Sequence, residues 1–363
     1  MRTAFVLLAF VTQAASSVPR TIPEKVIDLD AAPSERWQAS VHEVVTKYGF
    51  EGSFGPLLDY IDSLNEKTWT LVELVASELE KHVPSEYAEE MRGVANTARD
   101  MGYGKELPLS TIVGVNLLYE FSTFCTSIVC VDASNRIWHA RNLDWSFDGD
   151  SMRNITIVAN FHKGGVSVFK TITWVGYIGA MTGMRHGAFS VTADERKPSD
   201  GIFSVGIALE RMIFQHSRSV GFLMRDVLST NATYGDALKT LAGAPLASSV
   251  YFILGGLTGN EGAVITRKEF SVDVWSIPNG PEPWFVLETN YDHNTNAPPQ
   301  DDRRDLGISA MRKMGQAGIS ASNLMGVLGT PAANGSRGVF NSETVYSVIM
   351  NSGQDYFNGS TWQ

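Results

Sequence analysis

The 363 residues predict an α+β protein with sheets packed face to face and helices outside. Two observations carry this. From Glu35 to about Leu118 the apolar residues recur with a helical period, whereas beyond Cys125 short β-branched runs separated by glycines and polar turns take over. Groups of such runs then alternate with groups of helices instead of forming strict β-α-β units, which favours stacked sheets.

In chain order, residues 1–17 read as a secretory signal, with Arg2 near the start, an apolar stretch from Ala4 to Val11 and small residues Ala14, Ala15 and Ser16 where a peptidase cuts. A buried N-terminal helix is the competing reading. Residues 19–33 are Pro-rich and extended, with Ile27-Asp-Leu-Asp30 as a short strand. Leu57, Leu58, Ile61 and Leu64 make one helical stripe, and Leu64, Leu71, Val72, Val75, Leu79 and Val83 a second. Such stripes dock on a core. A membrane-surface contact is the alternative, disfavoured because the opposite face carries Glu66, Glu73, Glu78 and Glu80 instead of Lys and Arg. Helices follow over residues 84–101 and 110–119.

The stretch Cys125-Thr-Ser-Ile-Val-Cys-Val-Asp, a turn over residues 133–136, and Ile137-Trp-His-Ala-Arg-Asn-Leu-Asp144 have the pattern of a β-hairpin. With the turn centred near Ser134, antiparallel pairing sets Cys125 opposite Leu143 and brings Arg141 and Asp144 beside the thiol. A core hairpin with an incidental cysteine explains the same pattern. Further strands are predicted over residues 155–161, 166–174 and 188–193, helices over 205–214, 220–228 and 234–241, strands over 250–254, 262–266, 271–277 and 284–289, and helices over 305–314 and 322–328.

A composition that is 44% hydrophobic and 19% charged suffices for a large core, as one large domain or two lobes. The net charge of −10 argues against nucleic acid, whose binding rewards basic patches, and against a general attraction to anionic membranes. Beyond the signal no stretch offers the ~20 apolar residues of a spanning helix, so a soluble product of the secretory pathway is expected. Sequons at Asn154, Asn231, Asn334 and Asn358 are compatible with that route. The two cysteines, Cys125 and Cys130, lie five residues apart on one predicted strand. At ~3.3 Å per residue their Cα atoms stand roughly 16 Å apart on opposite faces, beyond disulfide reach. Cys130 is then a core residue, and Cys125 a free thiol in an oxidising pathway.

A cysteine that opens a sheet after a long helical segment suits an N-terminal nucleophile. A cut between Phe124 and Cys125 places an α-amine, with a pKa near ~7.7 to 8, on the residue that carries the thiol, where it serves as the base. The thiol makes that cut itself by attacking the Phe124 carbonyl. No metal or cofactor is called for, and the seven histidines show no metal-ligand spacing. His139 and His293 are read as satisfying local hydrogen bonds.

The blocks Cys125-Thr-Ser-Ile-Val, Arg141-Asn-Leu-Asp144, Asp194-Glu-Arg196, Gly255-Gly with Glu261-Gly-Ala-Val-Ile-Thr-Arg267, Glu288-Thr-Asn-Tyr-Asp-His293 and Asp301-Asp-Arg-Arg304, in this order, resemble the acid ceramidase and N-acylethanolamine acid amidase family of N-terminal nucleophile hydrolases. The resemblance runs from about Ile27 to Asn351. It implies a four-layer αββα core, with residues 18–124 as a helical α-subunit and residues 125–363 as the catalytic β-subunit of an α/β heterodimer. It also implies a lysosomal cysteine amidase for a fatty-acyl amide lipid. Cys125 would be both self-cleavage residue and nucleophile, and Asp144 would orient its amine. Arg141 would bind a nearby carbonyl or carboxylate and lower the cost of negative charge. Asn290 would donate to the oxyanion, Glu195 would give a proton during activation, and Arg303 would hold part of the polar network.

Each has a duller reading. Asn290 could be a turn residue, residues 301–304 a solvated run or helix cap, and Glu195-Arg196 a surface pair. For the substrate, Asn142-Leu-Asp, Tyr291-Asp-His and the short segment after Asp144 resemble the N-acylethanolamine type. Ile27-Asp-Leu-Asp30, Phe189-Ser-Val-Thr and Tyr251-Phe-Ile-Leu-Gly-Gly resemble ceramidase, and Ala140 replaces the family's usual glycine. A penicillin-acylase or bile-salt-hydrolase-like amidase and an inactive lipid-binding relative are the remaining alternatives.

Overall fold

The computed structural model describes residues 19–62, 66–117, 124–145, 149–196, 205–268, 271–333 and 336–362. The expected signal over residues 1–17, Leu64 at the meeting of the two stripes, Tyr119 and the sequon residue Asn334 lie outside the described residues.

Two sheets form the centre. The first runs Pro19–Thr21, Tyr356–Trp362, Thr344–Asn351, Ile137–Asp144, Phe124–Val131, Phe285–Glu288, every pair antiparallel. The second has eight strands in the order Val272–Ser276, Gly262–Arg267, Val250–Gly255, Phe189–Glu195, Thr182–Arg185, Val166–Trp174, Thr156–Lys163, Glu24–Asp28. Strand Phe124–Val131 lies against Phe189–Glu195 and Val250–Gly255, so the sheets stack face to face. Helices Arg303–Met314 and Ala321–Leu328 cover the outside of the first sheet, and Val220–Thr230 and Tyr234–Gly243 cover the second. This is the expected αββα sandwich.

Alternation along Phe124–Val131 explains the two cysteines. Ser127, Val129 and Val131 point between the sheets, where the two valines pack with Ile253 and Val264. Ile128 and Cys130 point the other way, into the core under helices Arg303–Met314 and Ala321–Leu328. Cys125 belongs to the inter-sheet set, Cys130 to the other, and both are free and buried.

The helical segment matches expectation with shifted ends. Helices span Gln38–Tyr48, Gly55–Asp62, Glu66–Ser77, Leu79–His82, Ser85–Asp100 and Leu109–Asn116. Leu57, Ile61, Val72, Val75, Leu79 and Val83 are all buried in the main core, while Glu66, Glu73 and Glu80 face solvent. The stripes therefore dock on the protein. The short N-terminal strand falls at Glu24–Asp28, slightly earlier than expected, and pairs in parallel with Thr156–Lys163. Below it, Glu90 of helix Ser85–Asp100 accepts from Arg225 at 2.6 and 2.7 Å, from Trp37 at 2.6 Å and from Arg36 at 2.8 Å.

Among the described residues, five strands and α-helices lie outside the sequence reading, the first being the edge strand Pro19–Thr21, read there only as extended chain. Helix Gly149–Ile155 and strand Thr182–Arg185 are short, and the strand has only four residues of alternation to betray it. Thr344–Asn351 and Tyr356–Trp362 lie beyond the last predicted helix and complete the first sheet beside the cysteine hairpin. Among the described residues no helix is long and apolar enough to cross a membrane.

Candidate active site

The hairpin register is the one its turn dictates. Cys125 pairs with Leu143, Ser127 with Arg141 and Phe124 with Asp144. Asp132 builds the turn by accepting from the backbone N–H of Ser134 and Arg136, at 2.8 and 3.0 Å, and from the Trp138 ring. Asn135 supplies the left-handed residue with φ 61°. A one-residue slip would turn Cys125 to the opposite face.

Arg141 is fully buried. Its Nη1 donates to the Met181 carbonyl and Thr182 Oγ1, and its Nη2 to the Ala193 carbonyl at 2.6 Å and to Cys125 Sγ at 3.0 Å. Asp194 Oδ1 stands 3.5 Å from the same Nη2 and accepts from Ser127 Oγ at 2.9 Å. A buried cation costs several kcal/mol unless it is solvated by such dipoles and paired. Burial pushes the Cys125 thiol up to about 12 against the opposing pull of Arg141. The sulfur therefore keeps its proton at neutral pH unless a base takes it.

Asp144 is likewise buried, accepting from Thr344 Oγ1 at 2.7 Å and Asn341 Nδ2 at 2.8 Å, with Arg303 Nη1 3.7 Å away. Burial raises its pKa, and Arg303 opposes the rise. The Cys125 backbone N–H donates to Asn290 Oδ1 at 2.8 Å. Asn290 Nδ2 donates to the Glu195 carbonyl at 2.9 Å. The side-chain amide expected at the oxyanion is thus turned toward Glu195. Arg303 closes the ring, giving Nη1 to the Cys125 carbonyl at 2.6 Å and Nη2 to Asn290 Oδ1 at 2.8 Å, with Asp301 fixing its other edge at 2.6 and 2.7 Å.

The structure so brings Cys125, Arg141, Asp144, Glu195, Asn290 and Arg303 to one locus at the Phe124–Cys125 peptide. Arg196 does not form a surface pair with Glu195. It is bidentate to Asp292 at 2.8 Å, which together with Tyr251 holds that carboxyl down at about 2. Residues that sequence reasoning did not assign are Asp194, Asn341, Thr344, Tyr346 and Arg337. Tyr346 bonds Thr182 at 2.7 Å behind Arg141. Asp194 sat in a quoted motif. Thr344 was readable from the alternation in Thr344-Val-Tyr-Ser-Val-Ile-Met, a strand whose first residue faces Asp144.

His139 bridges Ser190 at 3.0 Å and Thr192 at 3.2 Å, and burial pushes it down to about 3, so it is a neutral hydrogen-bonding ring. His293 packs against Trp275 with the rings tilted by 34° and their centroids 4.7 Å apart. Among the described residues no cluster of His, Cys, Asp or Glu is placed to hold a metal ion. Of the sequons, Asn358 is exposed, whereas Asn154 and Asn231 are half-buried and donate to the Gly52 carbonyl and to Thr240 Oγ1. A cavity of about 390 Å³ opens beside Phe124, lined by Tyr251, Asn290, Tyr291, Asp292 and Pro298 among others.

A thiol at the head of a central strand of an αββα sandwich, backed by a buried arginine, defines a hydrolase of the N-terminal nucleophile class. The chain is 35% identical over 326 residues to the N-acylethanolamine-hydrolyzing acid amidase of Oryctolagus cuniculus, covering 89% of this chain and 85% of that protein. It is 30% identical over 344 residues to the acid ceramidase of Bos taurus, covering 91% and 83%. A solved Caenorhabditis elegans N-acylethanolamine-hydrolyzing acid amidase ortholog superposes with a TM-score of 0.57 at 31% identity, over 65% of this chain and 99% of its own. No family model matches the chain. The protein belongs to the N-acylethanolamine-hydrolyzing acid amidase and acid ceramidase family and is a hydrolase acting on amide bonds.

Proposed function

We propose that the chain is the precursor of a lysosomal cysteine amidase that cuts itself between Phe124 and Cys125 and then hydrolyses fatty-acyl amide lipids, N-acylethanolamines ahead of ceramides. The observation that carries this is the grip on one residue: Arg141 lies 3.0 Å from the Cys125 sulfur while Arg303 and Asn290 hold its carbonyl and nitrogen.

In activation the sulfur adds to the Phe124 carbonyl carbon, the bond from that carbon to the Cys125 nitrogen breaks, and the thiol proton ends on the departing nitrogen. Glu195 relays that proton, giving its own carboxyl proton to the nitrogen as it takes up the thiol's, and so ends unchanged. Water then splits the thioester, leaving a Phe124 carboxylate and a Cys125 with free thiol and α-amine. In turnover that amine takes the thiol proton as sulfur attacks the lipid carbonyl, and returns it to the leaving amine. Water clears the acyl thioester. Asp144 orients the amine, Arg141 stabilises negative charge beside the sulfur, and Asn290, once released from Glu195, donates to the oxyanion, a contact worth ~3 kcal/mol. Arg303 fixes the Asp144 and Asn290 side chains.

Residues 18–124 and 125–363 become two subunits of a heterodimer. Strands Pro19–Thr21 and Glu24–Asp28, paired to later strands, and the Glu90–Arg225 contact span the cut and favour their staying together. The expected secretory signal and the exposed sequon Asn358 fit a lysosomal route. For the substrate, Asn142-Leu-Asp and Tyr291-Asp-His, which resemble the N-acylethanolamine type, support placing N-acylethanolamines first.

Acid-activated protein assayed on N-palmitoylethanolamine, a ceramide and penicillin V side by side tests this. Fastest turnover of N-palmitoylethanolamine is expected. A faster ceramide rate makes the protein a ceramidase, preference for penicillin V removes the lipid reading, and no turnover by cleaved protein leaves a lipid-binding relative.

A further inference from the structure

Two cations lie over the Phe124 ring, which precedes the nucleophile. The Arg337 guanidinium carbon lies 4.2 Å from the ring centroid and that of Arg303 5.3 Å from it. Neither cation is free to wander. Arg337 pairs with Glu343 at 2.6 Å, and Arg303 is forked onto Asp301 while it donates to the Cys125 carbonyl. The backbone is pinned as well, with Phe124 opposite Asp144 in the hairpin and the next nitrogen bonded to Asn290. Nothing in the amide-hydrolysis steps uses Arg337.

Resting on the self-cleavage reading, we infer that the contacts of Arg337 and Arg303 with the Phe124 ring form a clamp that holds the scissile Phe124 carbonyl against the Cys125 sulfur, making Arg337 a positioning residue for activation and Phe124 its specificity determinant. The reasoning is geometric. Attack requires the sulfur and the carbonyl carbon to meet at close range and correct angle, and a misplacement of about 1 Å costs roughly a hundredfold in rate. The Phe124 side chain leaves the same Cα as that carbonyl, so fixing the ring plane leaves the peptide little rotation. Attraction of a π-face to a guanidinium held in place corresponds to roughly two- to thirtyfold in an equilibrium or rate. It needs a ring and a cation, which gives it a signature that bulk or packing lacks.

Precursor refolded at neutral pH is shifted to pH near 5, and the fraction split is followed by intact mass. The set is wild type, Phe124→Tyr, Phe124→Leu, Arg337→Lys, Arg337→Ala and the double variant Phe124→Leu/Arg337→Ala. Cys125→Ala versions of each give the melting temperature of the uncut fold. Phe124→Tyr is expected to split at the wild-type rate. Phe124→Leu and Arg337→Ala should each be slower by about tenfold, Arg337→Lys intermediate, and the double variant no slower than the worse single one. Melting temperatures are expected to be near wild type in all. If Phe124→Leu splits as fast as wild type, or the two single effects multiply in the double variant, the clamp is refuted while self-cleavage stands. Slowing that merely tracks a fall in melting temperature also refutes it. If wild type never splits, the self-cleavage reading falls first and takes the clamp with it.

Discussion

Arg141 and Cys125 meet diagonally across one hairpin: Cys125 pairs with Leu143 and Arg141 with Ser127, yet Arg141 Nη2 reaches the Cys125 sulfur at 3.0 Å. Diagonal neighbours on one face of an antiparallel pair are within reach of a long side chain. The register alone therefore brings cation to thiol, and the second sheet supplies the carbonyls of Met181 and Ala193 that hold the guanidinium in place.

That arrangement predicts that Arg141→Lys fails. Lysine keeps a charge but cannot serve four acceptors in a planar fork. Amide turnover should fall by about 10²–10³-fold, and alkylation of Cys125 by iodoacetamide, followed against pH, should shift to higher pH. Near-normal turnover would show that Arg141 serves only the fold.

Stability should fall as pH rises from the acidic range. Burial pushes Asp194 up to about 7, partly opposed by Arg141, and Glu288 up to about 8. Their unfolded values are ~3.9 and ~4.3. Between those limits the native state binds the protons and the unfolded state does not, so this stabilising contribution is complete below pH ~4 and lost as pH climbs through about 7 to 8. Asp292, held at about 2, acts oppositely and only at more acidic pH. Uncut Cys125→Ala protein should melt on the order of 5 °C higher at pH 5 than at pH 8. Asp194→Asn should flatten that slope.

Glu90 is expected to be the costliest polar residue in the helical segment. It sits buried between Arg225, Arg36 and Trp37. Arg225 and Trp37 are themselves no more than 1% exposed. Removing one partner strands a buried charge, at about 3–5 kcal/mol. Urea unfolding of Glu90→Ala in the Cys125→Ala background should show that loss, and Glu90→Gln a smaller one.

Local pattern was enough for the hairpin and most of the helices, because their signals lie within eight to sixteen residues of chain. It even carried Cys125 to Leu143, since Asp132 and Asn135 permit one tight turn. What closes the site is not local. Asp144 is held by Asn341 and Thr344 about two hundred residues later, and Asn290 reaches Cys125 across 165 positions. No periodicity reports such contacts, and only the ordered family blocks pointed to Asn290 and Arg303. Asp194 and Thr344 stood in readable segments, but their roles depend on which sheet face meets which. The apolar helical stripes were ambiguous between core and membrane until packing placed Val72, Val75 and Leu79 inside.

The central claim is that Cys125 acts as an N-terminal nucleophile. Protein activated at pH near 5 is mixed with N-palmitoylethanolamine, quenched in acid within the first turnovers and analysed by mass spectrometry. A chain that begins at Cys125, carrying a palmitoyl group on its sulfur and a free α-amine, is the predicted result. Hydrolysis by uncut protein, or an acyl group on any other residue, would contradict it.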